Sequence, residues 1–311
     1  MAVATARPEH EERLRARHRA RARTSRLLSQ QIIPRVILIV MCAIFILPFY
    51  WMVVIGLKGN EELTLYPPSL YPHNPVWSNF KDATEVFPFW RFAWNTTAIT
   101  ILTILGSVIA NPIIAYGFSR IEWPGRDKVF LVVLATVFMP FPVLIIALFD
   151  IWAKIGQFTT EHNIPFIGGI NTYWPLVLPM WFGQAFWIFL MRQFLLQIPK
   201  DLSDAARLDG ANEFQIFRQI ILPQTLPALG VIAIFAFIHA WNDFLGPLIF
   251  LQNSSKYTLS IGLTFFQQQD AYDVQFNLLM AASALIVLPV VVMFLLFQRA
   301  FVEGISIGSI K

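Results

Sequence analysis

The side chains of this sequence that could do chemistry fall in a few places. His239 and Asp243 stand four residues apart within an apolar run, a spacing that on a helix sets an imidazole beside a carboxylate on one face. Such a pair either lines a polar pathway or makes a structural hydrogen bond near a helix end, and both readings stay open. Asn242 adds an amide beside them but, as a neighbour in sequence, points elsewhere. Trp181, Gln184 and Trp187 place an amide between two indoles at three-residue spacing. Indole faces stack on sugar rings and amides bond hydroxyls, whereas the plain alternative is bulk facing lipid. Asn111, next to Pro112, reads as a bonded amide at a kink.

Reactive chemistry finds little support. The five histidines show no metal-ligand spacing, no H-E-x-x-H occurs, and Cys42 is isolated in an apolar run as a small filler. No nucleophile–base set is evident, so the reading is not an enzyme. No Gly-Lys dipeptide is present, hence no Walker A loop to cradle phosphates. This chain is therefore expected to hold no cofactor of its own.

The elements that carry these residues follow from composition. Of 311 residues, 56% are hydrophobic and 14% charged, against about 25% charged in an average soluble domain. Together with a single cysteine, this excludes a soluble globular, a disordered or a disulfide-rich chain. Six apolar segments, 36–57, 94–118, 129–155, 174–196, 228–251 and 278–297, are each long enough to cross the bilayer as a helix. The fold class is thus an all-α membrane protein with six transmembrane helices. Residues 1–35 form a basic arm with nine arginines against three glutamates, which reads as an orientation device rather than a nucleic-acid contact. With the N-terminus inside, inner segments hold eighteen Lys and Arg and outer segments five, so both termini are expected to be cytoplasmic.

The predicted domains are therefore the arm 1–35, a six-helix transmembrane domain 36–297 and a tail 298–311. Within the middle one, the inner loop 198–227 has its own helical pattern. Asp201 or Ser203 is the expected N-cap, Ala205 and Ala206 favour helix, and Gly210 is placed to end it. A second piece shows Phe214, Phe217, Ile220 and Ile221 as an apolar stripe. The physical reading is two short interfacial helices with a small-residue patch that another protein could approach closely.

This loop resembles the EAA loop of permease subunits of bacterial ABC importers, through Asp204, Ala205, Ala206, Asp209, Gly210, Ala211, Phe217, Ile220, Leu222 and Pro223. Asp204 stands where that family usually has Glu. Trp241-Asn242-Asp243-Phe244, Pro247-Leu248 and the ending 298–305 resemble the carbohydrate branch, the second permease of maltose-type transporters. The resemblance implies a type I importer permease fold in a bacterial cytoplasmic membrane. It implies that Asp204, Ala205, Ala206, Asp209, Gly210, Ala211, Phe214 and Phe217 couple to an ATPase. The implied partners are a second permease, two ATPase subunits that bind ATP and Mg, an extracytoplasmic sugar-binding protein and the lipid bilayer, with no nucleic acid. Outer-loop residues 258–270 would reach toward the binding protein, with Gly262 as a turn. Trp181, Gln184, Trp187, His239, Asn242 and Asp243 are candidates for the translocation path. Rival readings are an importer for a non-sugar solute and a gradient-driven secondary transporter.

Overall fold

The computed structural model describes residues 31–164, 167–268 and 275–307. Most of the basic arm, residues 1–30, lies outside the described residues, as do 269–274 of the outer loop and 308–311 of the tail. The chain divides into two compact units, Met1–Val76 and Trp77–Lys311.

The first unit is built on helix α1, Ile33–Gly56, with Pro34 in its first turn, where a missing N–H costs nothing. Residues 33–50 of it are exposed along their whole length, Cys42 included, so that cysteine fills no gap within the chain. The loop that follows folds around one carboxylate. Glu62 accepts hydrogen bonds from the Ser69 hydroxyl at 2.8 Å and the His73 backbone N–H at 3.1 Å, and its Oε1 lies 2.9 Å from His73 Nδ1. Lys58 Nζ donates to the Ser69 carbonyl at 2.6 Å, and the Tyr50 hydroxyl to that of Leu70 at 2.8 Å.

The side-chain hydrogen bond from His73 is the largest cause holding Glu62 down from the ordinary 4.5 to about 2. A carboxylate with a depressed folded value contributes loop stability that is present above 4.5 and lost as pH falls through about 2. Pepsin cleavage within 63–76, compared with Glu62→Gln to cancel the protease's own pH response, is expected to accelerate across that window. A flat ratio would show that Glu62 does not hold the loop.

In the second unit the central element is helix α2, Phe89–Ser119, which runs on through Pro112. Asn95, Thr96, Thr100, Thr103, Ser107 and Asn111 recur along it at mostly three- and four-residue steps, and all are buried. In lipid a polar group needs a protein partner, and several of these have one. Asn95 Nδ2 donates to the carbonyls of Ser255 and Tyr257, both at 2.9 Å, and the Thr96 hydroxyl accepts from the Leu259 N–H at 2.9 Å. Asn111 donates to the Ser107 carbonyl and accepts from the Gln184 N–H at 2.9 Å, so it is the bonded amide expected.

The third apolar segment is not one helix. Helix α3, Arg126–Ala135, gives way to a tight turn at Thr136–Phe138 and extended backbone at Met139 and Pro140, before α4, Phe141–Glu161. Pro140 pushes Met139 out of helical backbone, and Pro142 sits in the first turn of α4, where its missing N–H costs nothing. The fourth segment is also interrupted. Trp174–Val177 and a 3-10 stretch Leu178–Phe182 end at Gly183, with φ +87°, and α5 follows over Ala185–Gln197.

The inner loop contains α6, Lys200–Leu208, and a second piece from Glu213 to Gln224 that meets α7, Leu226–Asn242, at 77°. The fifth segment then breaks at Asp243, in extended backbone, and resumes as α8, Leu245–Phe250. The last helix, α9, spans Phe276–Ile307, so residues 298–307 continue the sixth span in helical backbone. Among the described residues five helices are long and apolar enough to cross a membrane, or six with the bent pair counted as one span.

Residues 258–266, expected in an outer loop, pack inward instead of reaching out. Leu259 and Phe266 are buried in a cluster with Phe87, Phe92 and Ala281, and Ile261 is buried as well. Gly262 closes a one-turn helix, Leu259–Gly262, and an added Cβ there would lie 2.4 Å from the Phe87 ring. Close approach of a ring, not a turn, is what requires this glycine.

Candidate functional site

The inner loop is shaped by its two helix ends. Helix α6 starts from Pro199 in extended backbone with no side-chain cap, so neither Asp201 nor Ser203 caps it. Asp201 lies in the first turn, where its charge favours the helix N-terminus. At the other end Gly210 takes φ +86°, its N–H bonding the Arg207 carbonyl at 3.0 Å and the Ala211 N–H the Ala206 carbonyl at 2.9 Å. These are the two bonds of a Schellman motif, and they require a residue at ease in left-handed backbone. The next piece begins with a capping box. The Asn212 side chain accepts from the Gln215 N–H, and the Gln215 side chain accepts from the Asn212 N–H, both at 2.9 Å.

The expected apolar stripe on this piece is drawn differently, because Ile216–Ile221 is π-helical. A wider turn brings residues five apart into line, so Ile216 and Ile221 are the fully buried pair. Phe217 is half-buried, its ring edge-on to Tyr116 with centroids 5.1 Å apart, and Phe214 points away from the protein at 67% exposed. The small residues divide likewise. Ala206 and Ser203 face inward, while Asp204, Ala205, Leu208, Asp209 and Gly210 are exposed. Space around Gly210 is open, with nothing within 4 Å of where a Cβ would sit. One side of α6 is thus anchored and the other is free to be covered.

A charged node ties this loop to α2. Arg207 donates to Asp204 at 2.7 Å and to Glu213 Oε1 at 2.8 Å, and the Tyr116 hydroxyl donates to Glu213 Oε2 at 2.7 Å. The hydrogen bond from Arg207, then that from Tyr116, holds the Glu213 carboxyl below its ordinary value, and Glu213 in turn raises Arg207. The pairs are partly exposed, so each alone is worth about 0–1 kcal/mol. Their value is positional, since α6, the capped second piece and α2 meet at Glu213. No periodicity could have pointed to it. Arg207 and Glu213 lie across a turn, and Tyr116 is 97 residues away.

The residues expected along the translocation path do not form one group. Trp181 and Trp187 fall on opposite sides of the break at Gly183, so they share no helical face with Gln184. Trp181 lies against Gly106 of α2, where a Cβ would come within 2.4 Å of the indole. Gln184 reaches the Met180 sulfur at 3.3 Å. Trp187 is buried and meets the ring of His239 edge-on, with centroids 6.3 Å apart. Asp243 has left the helix of His239, and among the described residues no hydrogen bond or ion pair joins the two. Instead Asp243 Oδ1 accepts from the Gly246 N–H at 3.1 Å and so starts α8. Asn242 is exposed and donates to the Ile238 carbonyl of its own helix at 2.8 Å.

Residues 123–307 match the family model described as the binding-protein-dependent transport system inner membrane component. The chain belongs to this family. Similar permeases include the arabinooligosaccharides transport system permease of Halalkalibacterium halodurans, 32% identical over 73% of this chain and 76% of that one. The trehalose/maltose transport system permease of Thermococcus litoralis is 30% identical over 91% of this chain and 99% of that one. Among solved structures, a bacterial ABC transporter that imports the acidic polysaccharide alginate aligns over 89% of this permease and 97% of its own chain, with a TM-score of 0.72 at 20% identity. That likeness fixes the fold of this permease as the importer type. The charged node and the exposed face of α6 both lie inside the stretch matched by the family model, apart from Tyr116 of α2.

Proposed function

We propose that this permease carries a sugar or oligosaccharide across the cytoplasmic membrane, driven by ATP hydrolysis on separate ATPase subunits. It works beside a second permease and receives its solute from an extracytoplasmic binding protein. Support for the sugar comes from relatives named for arabinooligosaccharide and trehalose/maltose transport. Support for the coupling role comes chiefly from one observation. Helix α6 shows a free face of Asp204, Ala205, Asp209 and Gly210 while its other face is pinned to α2 through Glu213 and Tyr116.

In this reading the ATPase seats against that free face, with Leu208 and Phe214 as the apolar contacts. Movement of α6 is passed to α2 by the Glu213 node. ATP and Mg stay with the ATPase, and both termini of the permease lie in the cytoplasm, the arm 1–35 orienting the first span. The test is uptake of labelled arabino- or malto-oligosaccharides into proteoliposomes holding the complete complex, with binding protein outside and ATP within. Uptake that needs ATP and binding protein is the expected result. Uptake by the permease alone on a solute or ion gradient would replace the reading with a secondary carrier.

A further inference from the structure

Between the end of α2 and helix α6 lies a cavity of about 420 Å³ whose lining includes Arg120, Lys200, Arg207 and Ser203 together with the carboxylates of Glu122, Asp204 and Glu213. Arg120 directly follows α2 and is nine-tenths buried. Its Nη2 donates to the carbonyls of Leu195 and Ile198, both at 2.5 Å, while Nε and Nη1 have no acceptor. Ser203 is 2% exposed, and its hydroxyl also has no partner. Two buried polar side chains that line one cavity are thus left with unused hydrogen-bonding capacity, a costly arrangement unless something else fills it.

The charges around them narrow what that is. Arg207 is taken by Asp204 and Glu213, and Lys200 sits 3.7 Å from Glu122. Among the described residues no carboxylate lies within ion-pair distance of Arg120. Backbone carbonyls hold its guanidinium in place without neutralising it, and an arginine cannot shed its proton to escape the cost. Because Glu122, Asp204 and Glu213 are engaged by Lys200 and Arg207, an added anion is what can meet the two free guanidinium nitrogens.

We propose that this cavity binds a phosphoryl anion, held by the free guanidinium nitrogens of Arg120 and by the Ser203 hydroxyl, with Lys200 at the rim. A tetrahedral phosphoryl group offers enough oxygens to satisfy a guanidinium and a hydroxyl together. The cavity has room for it and for several waters, at about 30 Å³ per water. Because Arg120 sits at the end of a membrane-spanning helix, the cavity lies at headgroup level, where basic pockets between helices take lipid phosphates. The source is an anionic lipid headgroup or free phosphate. The site is independent of which solute the permease carries.

The full chain, purified with the subunits that co-isolate with it, is placed in phosphatidylcholine nanodiscs with and without phosphatidylglycerol. Lipid retained after re-extraction is counted by mass spectrometry, and labelled orthophosphate binding is measured by equilibrium dialysis. Ser203→Ala removes a hydroxyl that holds nothing else, so thermal stability without ligand is expected to be unchanged. Retained phosphatidylglycerol should nevertheless fall about tenfold, the size of one lost bond to a charged group. Arg120→Gln should remove it altogether. If orthophosphate binding depends on Ser203 and lipid retention does not, free phosphate is the ligand. If neither responds to Ser203→Ala, the proposal is overturned, whether or not Arg120→Gln folds.

Discussion

Replacing Gly210 with proline is expected to abolish ATP-driven uptake while the permease still assembles with its ATPases. The residue sits at φ +86°, and proline is locked near −65°. Its N–H, which proline lacks, donates to the Arg207 carbonyl and closes α6. Together these changes cost on the order of 3 kcal/mol locally, enough to melt the last turn of α6 and displace Asp209. Alanine is the graded control. It meets no neighbour, so it carries only the strain of left-handed backbone, about 1 kcal/mol. The measurement is solute-stimulated ATP hydrolysis and uptake in proteoliposomes, with subunit stoichiometry checked on the same samples. The proline variant should lose stimulation at least tenfold and the alanine variant far less. A proline variant that assembles and couples normally would remove α6 from the mechanism.

Glu213→Ala is expected to uncouple, leaving ATP hydrolysis and losing most uptake. Among the described residues the carboxylate is the one group that holds both Arg207 of α6 and Tyr116 of α2, so without it the loop can follow the ATPase while α2 does not. Its two partly exposed bonds, each worth about 0–1 kcal/mol, together set the loss at up to roughly tenfold in coupled transport. Tyr116→Phe removes only the bond to α2 and should reproduce most of the defect. In the double variant Tyr116→Phe with Glu213→Ala the losses should not add, since both cut the same link. Additive losses, or uptake falling in step with hydrolysis, would mean that Glu213 serves only the fold of the loop.

Much of this was legible in the amino-acid sequence. Apolar length gave the membrane class, and Gly210 gave the end of α6 through its own backbone preference. What was hidden depends on partners far along the chain or on backbone that leaves regular helix. The pairing of His239 with Asp243 assumed one helix, and Asp243 instead caps the next. The grouping of Trp181, Gln184 and Trp187 assumed another, and Gly183 divides it. Reading 129–155 as one span assumes an unbroken helix, yet Pro140 and Pro142 end one helix and begin the next. The stripe on the loop assumed an α-helical period that π-helical Ile216–Ile221 does not keep. Glu213 could not be singled out at all, since its importance lies in a tyrosine 97 residues earlier.

The buried polar row on α2 also has a consequence for synthesis. The carbonyls that receive the Asn95 amide lie 160 and 162 residues later, and the N–H bonded by Asn111 lies 73 residues later. At about 5–20 residues per second, Asn95 waits roughly 8–30 s after leaving the ribosome before its acceptors exist. During that interval the Asn95 amide lacks its acceptors, whereas Thr96, Ser107 and Asn111 already donate to carbonyls of their own helix. Helix α2 therefore needs shelter beside the insertion machinery until the later helices arrive, and a pause or truncation before residue 255 would strand it as a substrate for membrane proteolysis.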